Sequence, residues 1–215
     1  MLGRRELLAM LGAAALAPRA FAQSGPSPAQ NLAVLQPVTV DADVLARLPV
    51  MLQEEFPATL SVCIQQRDRI LLDYRREGVA KDDLFRIYSI TKSVLAVLVG
   101  IAHDRRLIPS LDRSVASYFP EIDLSAADPR AQEVTIRHLL TMTAGWSTAS
   151  QAGIQPPAVT TSGFFRPFAA NPGESFIYDN NGSNILGILL ARAVGQPLDA
   201  FAEEMLFKPL GITDY

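Results

Sequence analysis

The sequence predicts an α+β fold in which an antiparallel β-hairpin is followed by helices. Apolar and polar residues alternate over 60–64 and again over 70–74, which is the pattern of half-buried strands. The polar residues 66–69 between these runs predict a turn. From residue 89 onward, apolar residues recur mainly at helical spacing. We therefore expect an antiparallel sheet flanked by helices, with a helical subdomain after the hairpin.

The helices can be placed from their apolar spacing and their end signals. A first helix is expected over 44–52, before the hairpin. Capping and stop residues mark the ends of several later helices. Thr135 starts one helix, Gly195 ends another, and Pro209 follows the last helix. The later helices are predicted over residues 91–105, 135–142, 184–194 and 198–206.

Residues 1–22 have the features of an export signal. Arg4 and Arg5 precede an apolar stretch over 7–17, and Ala20-Phe21-Ala22 is typical of a cleavage site. The paired arginines resemble a twin-arginine signal, so we expect a periplasmic or secreted protein. A short buried or interfacial helix is the alternative. Residues 23–36 are rich in Pro, Ser, Gln and Ala, which predicts a flexible leader over 23–40 and places the folded domain at 41–215.

Composition excludes several classes of function. The net charge of -3 provides no basic surface for nucleic acid. Beyond residue 22, no apolar run approaches the ~20 residues that span a bilayer, so no membrane span is expected in the mature chain. No Cys or His cluster has the spacing of metal ligands, and no cofactor is predicted. Cys63 is the single cysteine; it alternates with the apolar residues of the first strand and is expected to be half-buried.

Ser89 and Lys92 form the first candidate for chemistry. They are three residues apart at the start of a strongly apolar run, so on a helix the Lys92 amine can reach the Ser89 hydroxyl. No Gly-x-Ser-x-Gly motif is present, and a serine with a lysine base fits this spacing better than a serine with a histidine base. The structural alternative is that Ser89 only caps the helix.

Tyr178-Asp179-Asn180 is the second candidate, in a stretch with the composition of a loop. Asn171-Pro172-Gly173 precedes it and Asn181-Gly182 follows it. Such residues are common in ordinary turns, which is the structural alternative for Tyr178 and Asn180. Trp146 and residues 164–168 lie between the two motifs, where core packing is favoured over a pocket wall.

The order of these motifs resembles a known family. Ser89-x-x-Lys92 and then Tyr178-x-Asn180, with Leu-Leu-Thr-Met-Thr-Ala-Gly over 139–145 and Pro-Leu-Gly-Ile-Thr-Asp over 209–214, are similar to the serine β-lactamase-related hydrolases. These include class C β-lactamases and penicillin-binding-protein relatives. The segments 98–102, 110–112 and 118–121 look most like the branch of esterases and 6-aminohexanoate-dimer hydrolases.

The resemblance implies a β-lactamase/transpeptidase-like fold. In that fold, two N-terminal and three C-terminal strands form a five-stranded antiparallel sheet, and helices are inserted between them. This sequence contains the hairpin and the helical region, but not the three closing strands or the third motif, Lys or His followed by Ser/Thr and Gly. We therefore expect it to be an N-terminal portion of a longer protein. Arg106 stands where relatives often carry Gly, and a left-handed Arg there would cost roughly 1 kcal/mol.

The resemblance also implies roles for the four residues. Ser89 would attack an amide or ester carbonyl of a small-molecule substrate, with Lys92 as base, Tyr178 sharing the proton and Asn180 orienting Lys92 and the substrate. The Ser89 amide would be one oxyanion donor; the other would come from an absent strand, so this portion alone is expected to have weak or no activity. His103 and His138 are expected to be packing or surface residues.

Two other hypotheses remain open. One is a non-catalytic module that binds peptidoglycan-type peptides or a partner protein. The other is a truncated product without function. Substrate identity and oligomeric state are not indicated.

Overall fold

The computed structural model describes residues 40–148 and 162–215. The predicted signal peptide and nearly all of the predicted leader lie outside the described residues. Two compact units are present within the described part of the chain. The first contains residues up to Arg86 together with Gly211–Tyr215, and the second contains Ile87–Leu210.

Within residues 40–86, the first unit contains one helix and a hairpin. Helix α1 (Ala42–Glu54) begins after Asp41, whose carboxylate accepts hydrogen bonds from two backbone amides of the first turn at 2.8 and 3.4 Å. Strands β1 (Ser61–Gln66) and β2 (Arg69–Arg75) pair in antiparallel register. The predicted hairpin is therefore confirmed. The register shifts between Ile64 and Gln65.

Cys63 lies on the polar face of this hairpin. It is exposed and pairs with Asp73, while its neighbours Val62 and Ile64 point to the other, half-buried face. The expectation of a half-buried thiol was wrong because successive side chains of a strand alternate between its two faces.

Arg76, which follows β2, binds the end of α1 and the connection that leads from α1 to β1. Its guanidinium donates hydrogen bonds to the carbonyl oxygens of Thr59 at 3.0 Å, Leu52 at 3.3 Å and Phe56 at 3.0 Å. These carbonyls lie at the last turn of α1 and in the connection to β1, so they have no partner within the helix. One side chain thereby joins the backbone of the helix end to that of the connection.

The second unit is mainly helical. Its two long helices are α2 (Ile90–Asp104) and α4 (Asn180–Val194), and the shorter ones are α3 (Ile136–Leu140) and α5 (Leu198–Ala202). Single turns of other helix types are also present, at Val115–Tyr118, Pro129–Gln132 and Glu203–Phe207. The helices pack their apolar stripes together, with these residues among the most buried: Leu98, Val99, Ala102, Ile136, Ile185, Leu189, Leu190 and Phe201.

Core packing is confirmed for the central aromatic residues. Trp146 and Phe164 are 1% and 0% exposed, and their rings meet edge to face at 6.0 Å. Phe165, by contrast, is 42% exposed. The tryptophan therefore belongs to the hydrophobic core of the second unit.

Helix α4 begins four residues earlier than the sequence predicted, at Asn180 rather than Asn184. Asp179 caps it by accepting a hydrogen bond from the Asn181 amide at 2.9 Å. Gly182 permits this turn, because a Cβ there would lie 2.9 Å from the Asp179 carboxylate. Tyr178-Asp179-Asn180 therefore occupies the junction between a loop and a helix, not an ordinary turn.

Several local predictions are confirmed at the ends of helices. Thr135 caps α3 in a reciprocal arrangement, in which His138 Nδ1 accepts from the Thr135 amide at 3.2 Å and Thr135 Oγ1 accepts from the His138 amide at 3.2 Å. Arg106 is left-handed, with φ 61°, as expected if it takes the place of a glycine. The predicted end of α3 was wrong, however. The helix ends at Leu140 rather than Met142, because Met142 has φ 58°, which is not a right-handed helical conformation.

The architecture is α+β, as predicted. The sheet contains β1 and β2, and no further strand occurs within residues 40–148 or 162–215. In the same ranges, no single helix is long and apolar enough to cross a membrane; only Asn180–Val194 and Leu198–Phe207 taken together, bent by 76° at their junction, meet that criterion.

Replacing Gly145 by alanine is expected to destabilise the protein strongly. Gly145 has φ +86°, and a Cβ there would collide with the backbone carbonyl of Ala170. Left-handed strain and this clash together should lower the free energy of unfolding by about 3 kcal/mol or more. Urea unfolding would measure the change.

Gly100→Ala is the matched control. Gly100 lies within α2, and a Cβ there would meet nothing within 4 Å. Alanine at that position should raise the free energy of unfolding by up to about 1 kcal/mol, because it favours the helix. Equal effects of the two substitutions would contradict the steric argument for Gly145.

Candidate active site

Ser89 lies at the N-terminal boundary of α2, but its side chain does not cap the helix. No hydrogen bond joins its hydroxyl to a backbone amide of the first turn. Instead, Ser89 Oγ is 2.6 Å from the Tyr178 hydroxyl and accepts a hydrogen bond from Lys92 Nζ at 3.3 Å. This serine is therefore turned towards a lysine and a tyrosine rather than towards its own helix.

Lys92 reaches Ser89 because the two residues are one turn apart on the same face of α2. Its ammonium also lies 4.9 Å from the centre of the Tyr178 ring. The amine thus contacts both hydroxyl-bearing side chains of the cluster.

Tyr178 completes the cluster from just before α4. Hydrogen bonding from Lys92 and then from Ser89, together with the positive charge of Lys92, lowers the pKa of Tyr178 below its ordinary value. The residue as a whole is 46% exposed. A tyrosine whose phenolate is favoured in this way is suited to accept a proton from a neighbouring serine.

Asn180 is the first residue of α4 and borders a groove that it shares with Lys92. It makes no hydrogen bond to Lys92 among the described residues. The bond that the resemblance implied is therefore not formed in this structure, and the role of Asn180 stays a prediction.

The groove runs between α2 and α4. Its polar part is next to Lys92 and Asn180, and its apolar part lies further along the two helices. Large apolar side chains are also exposed close to Ser89 in sequence, where Tyr88 and Ile90 are 77% and 57% exposed. The polar lining residues include Ser183 and Asn184; the apolar ones are Leu95, Gly187, Ile188, Ala191 and Leu198.

Tyr88 has φ 42°, in the left-handed region that non-glycine residues rarely adopt. It directly precedes Ser89, and such strain is frequent beside functional side chains. The sequence carried no signal for this conformation.

A buried ion pair lies next to the cluster of Ser89, Lys92 and Tyr178. Arg166 and Asp179 are 4% exposed each, and they are joined by two hydrogen bonds of 3.0 and 2.8 Å. Asp179 is the middle residue of Tyr178-Asp179-Asn180. Sequence reasoning missed this pair: the position of Asp179 before a helix could have indicated a cap, but nothing indicated its partner 13 residues earlier.

The two histidines take no part in this cluster. His103 Nδ1 bonds to the carbonyl of Ile108 at 2.7 Å, and His138 closes the cap of α3. Burial lowers the pKa of His138, which favours its neutral form. In the described ranges, no group of three or more His, Cys, Asp or Glu side chains is arranged to hold a metal ion.

Comparison with known proteins assigns this chain to a family. The family model described as Beta-lactamase matches residues 53–215. The chain belongs to the β-lactamase family. Ser89, Lys92, Tyr178 and Asn180 all lie within the matched range.

The β-lactamase family includes enzymes of known activity that are similar to this chain. Esterase EstB of Burkholderia gladioli is 29% identical over 181 residues, which cover 72% of this chain and 46% of the esterase. A D-alanine carboxypeptidase AmpC from Burkholderia cenocepacia is 25% identical with a TM-score of 0.61, covering 80% of this chain and 50% of that one. The chain thus spans about half the length of these β-lactamase relatives.

The β-lactamase/transpeptidase-like fold is also shown by solved structures. A class C β-lactamase in complex with cefoxitin superimposes with a TM-score of 0.66 at 21% identity, covering 79% of this chain and 49% of that one. At this level of identity, the likeness concerns the fold alone. The predicted fold class and family are therefore confirmed.

Proposed function

We propose that this protein is a serine hydrolase that cleaves an amide or ester bond through an acyl-enzyme on Ser89. One observation carries the proposal. Ser89 Oγ lies 2.6 Å from the Tyr178 hydroxyl and 3.3 Å from Lys92 Nζ, while it makes no cap to its own helix. A serine held by two groups that can move protons is the arrangement that nucleophilic catalysis requires.

The reaction has two halves. Ser89 Oγ forms a bond to the carbonyl carbon of the substrate as its proton passes to Tyr178 or Lys92. The bond to the leaving group then breaks, and the leaving alcohol or amine takes up that proton. A water molecule attacks the resulting ester in the second half, and the acid is released with Ser89 restored.

The surroundings of Ser89 offer groups for substrate binding. The Ser89 amide at the start of α2 would donate one hydrogen bond to the oxyanion. Asn180 would bind the polar part of the substrate, because it borders the groove that also contains Lys92. The apolar part of this groove and the exposed Tyr88 and Ile90 fit a substrate with an apolar acyl group.

A fluorophosphonate probe tests the hydrolase proposal. In the protein expressed from its complete gene, we expect the mass of one adduct on the peptide containing Ser89, and none in the Ser89→Ala variant. Turnover of p-nitrophenyl esters should be lost in the same variant. If the folded wild type forms no adduct and hydrolyses no ester or amide, the proposal is wrong. Saturable ligand binding that survives Ser89→Ala and Lys92→Ala would then favour the non-catalytic module.

We further propose that the protein is exported through a twin-arginine signal. Arg4 and Arg5 before the apolar stretch 7–17 support this, as does the Ala20-Phe21-Ala22 cleavage site. Changing both Arg4 and Arg5 to lysine preserves their charge and should still leave the precursor uncleaved in the cytoplasm. The wild type should instead appear outside with Gln23 as its first residue, as measured by mass spectrometry.

Arg19→Lys is the control, since it changes an arginine outside the pair and should leave export unaffected. Normal export of the double lysine variant would contradict the twin-arginine route. A wild type that keeps Met1 in the cytoplasm would contradict export altogether.

A further inference from the structure

The ion pair of Arg166 and Asp179 is held from several directions. Arg166 donates two parallel hydrogen bonds to the Asp179 carboxylate, at 3.0 and 2.8 Å, and a third to the carbonyl of Gly163 at 3.1 Å. The face of its guanidinium lies 4.7 Å from the centre of the Trp146 ring. A planar guanidinium fixed in this way determines both the position and the rotation of the carboxylate it binds.

Stability alone is a poor reason for such a pair. The two side chains are only 2% and 5% exposed, and removing two charges from water costs about as much as their attraction returns. Apolar residues of similar size could fill the same space. A role in geometry explains the charged pair better, because a bidentate contact has one preferred orientation and apolar packing has many.

Asp179 connects this pair to the site. Its backbone is extended, with φ -132° and ψ 107°, so its side chain points opposite to those of Tyr178 and Asn180. The exposures agree, since Asp179 is buried while Tyr178 and Asn180 are exposed. A rotation of Asp179 would therefore move Tyr178 away from Ser89 and Lys92, and would move Asn180 away from its place at the groove.

Asp179 also sets where α4 starts. Its carboxylate accepts the Asn181 amide at 2.9 Å, and its carbonyl accepts the Ser183 hydroxyl at 3.1 Å. The same helix carries Asn180, Ser183 and Asn184, which are polar residues of the groove. The ion pair therefore holds one end of the helix that lines half of the groove.

We propose that Arg166 and Asp179 are positioning residues, whose buried ion pair aims Tyr178 at Ser89 and Lys92 and holds Asn180 at the border of the groove. The expected effect on the labelling of Ser89 rests on the proposed function, whereas the expected effect on the titration of Tyr178 does not. Arg166 and Asp179 do not themselves touch the reacting atoms.

The double variant Arg166→Gln/Asp179→Asn tests this proposal in the protein expressed from its complete gene. It removes both charges together, so no buried charge is left without a partner, and the introduced asparagine keeps an oxygen to cap α4. We expect fluorophosphonate labelling of Ser89 to slow by about a hundredfold, the effect of a misplacement of roughly 1 Å at a reactive centre. The single variant Arg166→Lys should retain part of the wild-type rate, because it keeps the charge.

A second readout does not depend on turnover. Ultraviolet titration of Tyr178, obtained as the difference between each protein and its Tyr178→Phe counterpart, should show a higher tyrosine pKa in the double variant. The reason is that Tyr178 loses its contacts with Lys92 and Ser89, which lower its pKa. A pair with only a structural role would lower the melting temperature and leave this titration unchanged.

Arg137 and Asp112 provide the matched control. They also form a bidentate pair, at 2.6 and 3.1 Å, but their side chains are 41% and 66% exposed. Arg137→Gln/Asp112→Asn should leave labelling and the Tyr178 titration as in the wild type.

The outcomes separate the two proposals. Suppose that Ser89 is labelled in the wild type, and that the folded Arg166→Gln/Asp179→Asn variant has the wild-type labelling rate and the wild-type Tyr178 titration. The positioning role is then overturned, and the proposed function stands. If the wild type is not labelled, the proposed function fails, while an upward shift of the Tyr178 titration would still support positioning.

Discussion

Replacement of Lys92 by methionine is expected to slow acylation of Ser89 about a thousandfold, within the range that a positioned acid or base supplies. Lys92 Nζ donates to Ser89 Oγ at 3.3 Å and lies 4.9 Å from the Tyr178 ring centre. Methionine keeps the unbranched stem but removes both interactions. Either role of Lys92 is then lost: as a neutral amine it would accept the Ser89 proton, and as an ammonium it would favour the phenolate of Tyr178, which accepts that proton instead. The rate of fluorophosphonate labelling would measure the effect.

Lys208→Met is the control for this substitution. Lys208 is 68% exposed in its side chain and pairs with Glu203, away from the serine cluster. Labelling of that variant should equal the wild type. A Lys92→Met protein that folds and is labelled within about tenfold of the wild-type rate would show that Lys92 is not needed for proton transfer.

Replacement of Tyr178 by phenylalanine is expected to slow acylation about a hundredfold and to change its pH dependence. Hydrogen bonding from Lys92, then from Ser89, and the charge of Lys92 lower the pKa of Tyr178. The phenolate therefore forms at a lower pH than in an ordinary tyrosine, whose pKa is about 10. In the wild type, labelling should rise with pH as Tyr178 loses its proton and level off above its lowered pKa. The phenylalanine variant should lack this rise.

Tyr118→Phe is the control. The Tyr118 hydroxyl is buried and has no hydrogen-bond partner among the described residues, so removing it should leave the pH profile unchanged and the stability equal or higher. If Tyr178→Phe keeps the wild-type pH profile, Lys92 is the better candidate for the base. The two substitutions together thus decide between the two proton acceptors.

Local patterns predicted much of this molecule. The alternation over 60–64 and 70–74 predicted the hairpin, because neighbouring residues on a strand face opposite sides. The spacing of Ser89 and Lys92 predicted their contact, because residues three apart on a helix share a face. The sequence predicted Thr135 as the cap of α3, but it did not predict the return hydrogen bond to the side chain of His138.

Other features depend on contacts that are distant in sequence. The composition around Asn181 and Gly182 predicted a loop, with the helix starting only at Asn184, but both residues are buried in α4. Asp179 caps the helix that contains them, and its carboxylate in turn accepts hydrogen bonds from Arg166, 13 residues earlier in the chain. Neither the apolar periodicity nor the helix-end signals of the sequence predict the pairing of Arg166 with Asp179, because it is formed by packing between segments.

By itself, the sequence determined the α+β class, the hairpin, the helical character of the rest and, through its motifs, the family. The class, the hairpin and the helices follow from interactions within a few residues, which any chain with this pattern would form, whereas the family was indicated by the resemblance of the motifs. Only the tertiary structure decided that Ser89 faces Tyr178, 89 residues away, instead of capping α2, and that a buried ion pair lies behind them. The reason is physical: a hydroxyl or a carboxylate can satisfy its hydrogen bonds locally or across the fold, and the packing of the whole core selects between them.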